Sequence, residues 1–379
     1  SQFAWLGQRD GTALPAPLDE MFGTLAIINL PSTYKEYALF ANGSWRFGER
    51  FKIDAGLRQA RNDQWFSQNV PTGILAPIGE SPGDSSEDVF TWSLSPQFKL
   101  SENVMLYARV ATGYQPGGPN VALAGVPPQV DSSMLDSYEI GMKSQFADRR
   151  VTLDVSAFRI DWEDIQVASS FNGVGGLVNG GKATSEGLEL SSQFRITDAL
   201  TLGLNGAYTD ASIKNDFEPT VIPQVDQDGN PLADVILWTG LAGDRMPYSP
   251  KLSWTGTAEY AFSVGGLDGQ VGGALRWVDD RVNDTTERQR VTAPGDPDTL
   301  LAPDDIAVPL ELDSYHALDL YAGIGKDNWE LRLYANNVTG ERAWSTLAPM
   351  DGALSGTRSH VTGVPIQPRT FGLELDVRF

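Results

Sequence analysis

The chain has 379 residues, a formal net charge of −21, no cysteine and two histidines, His316 and His360. That balance excludes a nucleic-acid binder, which needs Lys and Arg clustered against phosphate, and it offers neither a disulfide nor a Cys- or His-rich metal centre. Mean hydropathy is negative and no run approaches the roughly 18 apolar residues of a spanning helix, which excludes a helical membrane protein but not a β-barrel, whose lipid face uses only every second residue.

In chain order, Phe3–Leu6 reads as the stub of a strand. Leu25–Leu30, the longest candidate for an apolar span, is far too short to cross a membrane as a helix. From Tyr34 onward, period-two alternation marks about thirteen strands. Leu106, Ala108 and Val110 alternate with Tyr107, Arg109 and Ala111. Tyr138, Ile140 and Met142 alternate with Glu139, Gly141 and Lys143. The same pattern recurs at Leu188–Ile196, Leu200–Tyr208 and Trp329–Ala335, and a period of 3.6 fits none of these segments. The final segment runs Phe371, Leu373, Leu375, Val377, Phe379 on one face and Gly372, Glu374, Asp376, Arg378 on the other. Two strands break the rule. Apolar parity switches between Ala157 and Phe158, which predicts a bulge or an inward aromatic, and Pro96 marks an edge, bulge or rim position.

Short turns near Gly48-Glu49, Ser101–Asn103, Ala147–Arg149, Thr197-Asp198, Gly265–Gly269 and Lys326–Asn328 alternate with long segments at 62–87, 115–134, 163–182, 211–247, 280–312 and 339–366. An outer-membrane barrel keeps short turns at one end and long loops at the other. Phe47, Phe51, Phe98, Phe146, Phe194, Phe262 and Trp329 flank the short turns, while Trp92, Tyr114, Tyr138 and Tyr208 lie at the far ends. Tyr138 and Phe146 share a face; at ~3.3 Å per residue and ~40° tilt they stand roughly 20 Å apart, close to the ~25 Å apolar band between two aromatic girdles.

Several segments, in this order, resemble the C-terminal part of TonB-dependent outer-membrane receptors. They are Leu106–Gly118, Ser137–Lys143 (SYEIGMK), Ala157–Gln166, Ala183–Glu189, Leu333–Arg342 (LYANNVTGER) and Gln367–Gly372 (QPRTFG), followed by the terminal Phe379. The resemblance implies an all-β, antiparallel transmembrane β-barrel, with 1–379 forming one partial-barrel domain. Family members also carry an N-terminal plug domain and a TonB-contacting box, and no segment here resembles either. The chain is therefore expected to supply the C-terminal 13–14 strands of a barrel of about 22, with its first strand unpaired. The implied function is TonB-dependent uptake of a ferric siderophore or other iron complex across the outer membrane of a Gram-negative bacterium. The alternatives are a passive porin-like or fatty-acid-type channel, or a non-transporting surface barrel. A complete channel would pair its first strand with Val377–Phe379. The implied partners are TonB with ExbB and ExbD, the barrel-assembly machinery acting through the C-terminal strand with Phe379 as its signal, outer-membrane lipid and lipopolysaccharide, and a small iron chelate.

No Gly-rich phosphate loop, Ser/His/Asp order or metal spacing occurs, so neither enzymatic activity nor a cofactor is expected. Asp226–Asn230 partly resembles a calcium loop but lacks the later ligands, and Asp-Gly favours a hairpin turn. Between 279 and 313 ten acids face three arginines; these read as solvated loops, or as cation-bridged contacts to lipopolysaccharide. Candidate ligand-binding residues are Arg58, Arg109, Arg276 and Arg332 on the lumen face and Trp65, Trp238 and Trp344 near the long loops. The arginines can equally satisfy neighbouring acids, and the tryptophans can equally serve as girdle or loop-packing residues.

Overall fold

The computed structural model describes residues 2–5, 24–73, 78–120, 122, 126–171, 174–226, 230–351 and 358–378. Fifteen strands join in one antiparallel sheet. Ser32–Phe47 forms one edge and is followed across the wall by Phe51–Gly73, Gly79–Ser101, Val104–Gln115, Ser133–Phe146, Val151–Glu163, Ala183–Arg195, Leu200–Ile213, Leu252–Val264, Leu267–Val278, Tyr315–Lys326, Trp329–Asn336 and Thr370–Val377. Two further strands, Gln2–Trp5 and Thr24–Asn29, extend the first edge at the long-loop end, where Ala26 meets Gly73.

Register explains why alternation builds a two-faced wall. One row of opposed residues runs Phe51, Phe98, Leu106, Met142, Val155, Leu190, Gly206, Trp254, Trp277. The neighbouring row runs Lys143, Asp154, Ser191, Asn205, Thr255, Arg276. A slip of one residue in any strand would exchange the two faces. On the apolar face Leu39 is 80% exposed and Phe371 70%. Surface of that kind is a liability in water and the normal outer face of a barrel in lipid. Phe47 and Phe51 pack at 5.9 Å beside the first short turn, and Tyr260 and Phe262 stack at 6.3 Å near another.

The parity switch in Val151–Glu163 resolves without a bulge, because pairing is unbroken on both sides. Phe158 faces the lumen, and its ring lies against Gly187. Tyr107, Tyr321 and Tyr334 cover Gly141, Gly272 and Gly372 in the same way. A glycine without a side chain leaves a gap over exposed backbone, and a cross-strand ring fills it. Pro96 is neither an edge nor a bulge residue: it pairs opposite Ile53, while the ladder to Val104–Gln115 skips Ser95 and Pro96 without changing register. A missing N–H costs a ladder bond there and nothing more.

The segment 62–87, expected as a loop, continues two wall strands upward, from Asn62 opposite Glu87 to Val70 opposite Gly79. All five other long segments contain paired strands, from the short pair Gly118–Pro119 with Gln129–Val130 to hairpins and a small sheet. Gln166–Phe171 pairs with Val174–Asn179, Thr220–Val225 with Pro231–Trp238, and Trp344–Asp351 with Arg358–Pro365. Glu287–Ala293 adds to Pro231–Trp238, so two successive loops share one sheet. The core sits here rather than in the wall. Ile165, Ala183, Ile213 and Phe217 form one buried cluster, and Val178 and Ile222 another.

Among the described residues the wall does not close on itself. Among the described residues Thr370–Val377 pairs only with Trp329–Asn336, and the outer edge of Ser32–Phe47 pairs with nothing. Counted from Ser32–Phe47 to Thr370–Val377 the wall has thirteen strands. Antiparallel neighbours alternate in direction, so the first and last of an odd set point the same way and cannot form an antiparallel seam.

Candidate functional site

The long-loop end is a continuous ledge in which each loop holds the next. Asn62, fully buried, donates to Glu87 Oε1 at 3.2 Å and Tyr114 Oη at 3.1 Å and accepts from Tyr34 Oη at 2.8 Å. Gln68 exchanges two hydrogen bonds with the backbone of Ala122, and the Gln64 amide donates to the Gly117 carbonyl. Loop 115–134 is thereby clamped to the tall hairpin. Asn120 in turn pairs with both backbone groups of Leu177, and Asn179 donates to Asp131 O at 2.9 Å, which joins loop 163–182. Phe217, 2% exposed, lies against Gly180 and Gly240, which joins loop 211–247. Asp244 accepts from Thr286 N and Oγ1, both at 2.8 Å, which brings in loop 280–312. Arg281 donates to Trp344 O at 3.0 Å, and Tyr248 to Leu347 O at 2.9 Å, which completes the chain to loop 339–366.

Buried amides must be paired, and Asn62 is paired three times. Asn62→Ala removes one hydrogen-bond partner from each of Tyr34, Glu87 and Tyr114 at once. Losing those bonds should cost about 1–3 kcal/mol and raise the rate of proteolytic cutting within 62–87 roughly tenfold, with cutting at the short turns unchanged. Limited proteolysis of the two proteins side by side makes the comparison.

The arginines of the ledge serve its internal structure. Arg290 forms a two-point pair with Asp304 at 2.9 and 2.8 Å, and Arg288 stands 3.5 Å from Asp216. Both guanidinium groups lie over Trp238, at 4.1 and 5.4 Å from the ring centre. Arg245 reaches Asp280 at 2.6 Å. Arg290 holds the Asp304 carboxyl below its usual range, and Arg245 does the same for Asp280. A depressed carboxyl stabilises the fold above its unfolded pKa of about 4 and loses that contribution as pH falls through the lower folded value. A spin label at exposed Leu300 should therefore stay equally immobile from pH 7 to pH 5 and become mobile only below about pH 4.

The candidate residues read from sequence are not brought together. Arg58, Arg109, Arg276 and Arg332 all face the lumen, but five strands separate Arg109 from Arg276, about 29 Å at ~4.8 Å per step. Arg58 pairs with Glu36, and Arg332 with Glu330 at 3.0 Å and Glu374 at 4.0 Å. Arg109 stands opposite Glu139, whose carboxylate accepts from the Tyr107 hydroxyl. Arg276 lines a lumen-wall cavity of about 710 Å³ with Lys143, Asp154, Glu189 and Asn205, and has no ion pair among the described residues. Trp65 shares the outward parity of Phe51 and sits opposite Asp84, away from the lumen. Trp238 lies inside the shared loop sheet, and Trp344 is exposed on the last long loop. Phe379 lies outside the described residues.

Arg288, Arg290, Asp216 and Asp244 had no signature in sequence, because their pairing joins separate loops. Asn62 and Gln68 had no signature either, because the apolar alternation of their strand stops near Gln59 and the residues beyond are mostly polar on both faces. Among the described residues no His/Asp/Glu group could hold a metal; of the Asp226–Asn230 segment only the two ends are described, and there Asp226 accepts from Asn230 N and Nδ2 at 2.8 and 2.9 Å, while 227–229 lie outside the described residues.

Comparison with known proteins fits this architecture. The family described as TonB dependent receptor-like, beta-barrel, matches residues 7–338. The pesticin receptor of Yersinia enterocolitica is 29% identical over 191 residues, 49% of this chain and 28% of that protein. The catecholate siderophore receptor Fiu of Escherichia coli K12 is 26% identical over 266 residues, 64% of this chain and 31% of that protein. Among solved structures, the ferric yersiniabactin uptake receptor FyuA of Yersinia pestis superposes with a TM-score of 0.72 at 21% identity, covering 94% of this chain and 48% of that one. Fiu in its closed form gives 0.62 at 20%, over 92% and 45%. The chain thus spans less than a third of these curated relatives and about half of these structures.

Proposed function

The chain belongs to the TonB-dependent receptor β-barrel family, and from that premise we propose that it forms the wall and ligand-facing ledge of a receptor importing a ferric siderophore across the outer membrane. The observation that carries this reading is the ledge itself. Six long segments that lock one another over a polar lumen face make a preorganised surface, which lowers the entropy cost of capturing a scarce ligand. The relatives named as a catecholate siderophore receptor and a ferric yersiniabactin uptake receptor point to a ferric chelate as the ligand class.

In this reading the outward apolar face meets outer-membrane lipid, and the acidic loops lie near lipopolysaccharide. Energy comes from TonB with ExbB and ExbD, acting through a plug domain, and the barrel-assembly machinery engages the C-terminal strand ending at Phe379. The protein moves its ligand unchanged and performs no catalysis. Arg109 and Arg276, the two lumen candidates without an ion pair among the described residues, are the better placed to meet an anionic chelate; Arg58 and Arg332 already have acids.

The test is growth under iron limitation of a strain lacking the receptor, supplied with single ferric siderophores and complemented with the gene. Complementation should restore growth on one siderophore class and on no iron-free nutrient. Restoration on small sugars or fatty acids instead would favour the passive-channel reading. The odd number of wall strands among the described residues weighs against a barrel that this chain closes alone.

A further inference from the structure

The outward face of the wall carries a groove of about 670 Å³ between Trp254 and Tyr260. Gly256, Ala258 and Gly273 form its floor. Leu202 and Leu204 stand on one side of it, Leu318 and Leu320 on the other. Its one charged lining residue, Glu259, is turned to the lumen, where it accepts from the Tyr321 hydroxyl. The floor is paired on both sides, Gly256 with Leu204 and Leu275, and Ala258 with Leu202 and Gly273. Between its aromatic ends the groove therefore offers apolar surface, with no cation and no spare backbone donor.

The lumen face treats its glycines differently. There the rings of Tyr107, Phe158, Tyr321 and Tyr334 cover Gly141, Gly187, Gly272 and Gly372, and each fills the gap over bare backbone. Over Gly256 no ring closes. The Trp254 ring stands 3.6 Å from where a Cβ would be, and the next atom is the Gly203 carbonyl at 4.0 Å. The lining of an empty gap forfeits contacts, so on this face the missing atoms have to come from the surroundings. Trp254 and Tyr260 are six residues apart, roughly 15 Å at ~3.3 Å per residue and ~40° tilt. That is about half of a ~30 Å hydrocarbon core, the reach of a chain from one leaflet.

We propose that this groove seats one acyl chain of a membrane phospholipid at a fixed place on the wall. The proposal rests on the reading that the outward face meets lipid, and the groove is continuous with that face. Lipid tails are as apolar as leucine, so the chain gains no hydrophobic burial here. What it gains is van der Waals contact with a floor and two sides at once, which the ridged wall elsewhere does not offer. A phosphorylated glycolipid would need cations for its phosphates, and no Lys or Arg lines the groove. A second copy of the chain would be held off by Trp254 and Tyr260, which stand up at the two ends.

The test places the full chain in nanodiscs of phosphatidylethanolamine doped with an analogue that carries a photoreactive diazirine midway along one acyl chain. After irradiation, adducts are mapped by mass spectrometry of peptides. Leu252–Val264 and Leu267–Val278 should carry at least about threefold more label than Ser133–Phe146 and Val151–Glu163, the scale that packing alone reaches in lipid. Gly256→Leu and Ala258→Leu each fill the groove and should level the difference. Ile140→Leu, on a 63% exposed stretch of the same face, should leave it in place. Even labelling along the wall overturns the proposal, as does a preference that survives both groove-filling variants. Depletion confined to the two groove strands would mean that protein covers them, and loss of the preference on adding lipopolysaccharide would hand the seat to a glycolipid; either result also overturns it. A wall with no adduct on any strand would instead overturn the reading that this face meets lipid.

Discussion

Gly187→Ala should prevent the wall from assembling, although it adds one methyl group. Gly187 lies on Ala183–Arg195, with the Phe158 ring against its face, and a Cβ there would stand 3.0 Å from that ring and well inside the contact distance of the Tyr208 carbonyl. The carbonyl belongs to the ladder with Leu200–Ile213 and cannot rotate away as a flexible side chain would. Overpacking of this kind costs about 1–3 kcal/mol where the site can yield, and more where the obstacle is backbone in the middle of a sheet. Gly256→Ala is the matched control. It too is a wall glycine, but the nearest atoms to its Cβ are the Trp254 ring at 3.6 Å and the Gly203 carbonyl at 4.0 Å. Removing a glycine's freedom at a compatible site changes stability by about 0.4–1 kcal/mol in the favourable direction. The yield of folded protein in outer membranes, read by resistance to protease and urea, should fall at least tenfold for Gly187→Ala and hold for Gly256→Ala.

Phe217→Ala should separate the ledge from the wall. Phe217 is 2% exposed and packs with Ile165, Ala183 and Ile213, while its ring presses on Gly180 and Gly240. It is thus the peg between loops 163–182 and 211–247. Truncating a buried Phe costs about 3–5 kcal/mol, and here the loss falls on the ledge, because the ring meets the wall only at Ala183 and Ile213, the terminal residues of two strands whose remaining length is held by its own ladder. Resistance of the wall to heat and urea should stay as it was, while loop cleavage accelerates and affinity for the ferric ligand drops by tenfold or more. An equal loss of wall stability would show that wall and ledge fold as one unit. Unchanged affinity would show that the ligand does not need the ledge ordered.

The wall was legible because lipid on one face and a polar lumen on the other impose the strictest alternation a strand can carry. Strands were read from Tyr34 to the end, and the stub at Phe3–Leu6 corresponds to Gln2–Trp5. Thr24–Asn29 was missed because a short apolar run has no period of its own. The upward continuation through 62–87 was missed because those residues are polar on both faces, and nothing apolar marks a strand that has left the membrane. Phe158 was ambiguous in sequence, since a bulge and an inward ring give the same pattern, and only unbroken register distinguishes them. The candidate site was least legible. Its residue types were recognisable one by one, but spacing along a chain does not say which loop an arginine will meet. Arg288 and Arg290 find Trp238 across two loops, whereas Trp65 turns outward because it lies an even number of residues from Phe51.

An energised importer of ferric chelates, as proposed for this wall and ledge, takes up its cargo only while TonB works. The direct measurement is uptake of radioactive iron, presented as a purified ferric siderophore, into cells that carry the receptor with and without working TonB. Accumulation that requires both the receptor and TonB, and that a protonophore abolishes, is the expected result. Receptor-dependent uptake that proceeds equally without TonB and ignores the protonophore would contradict it.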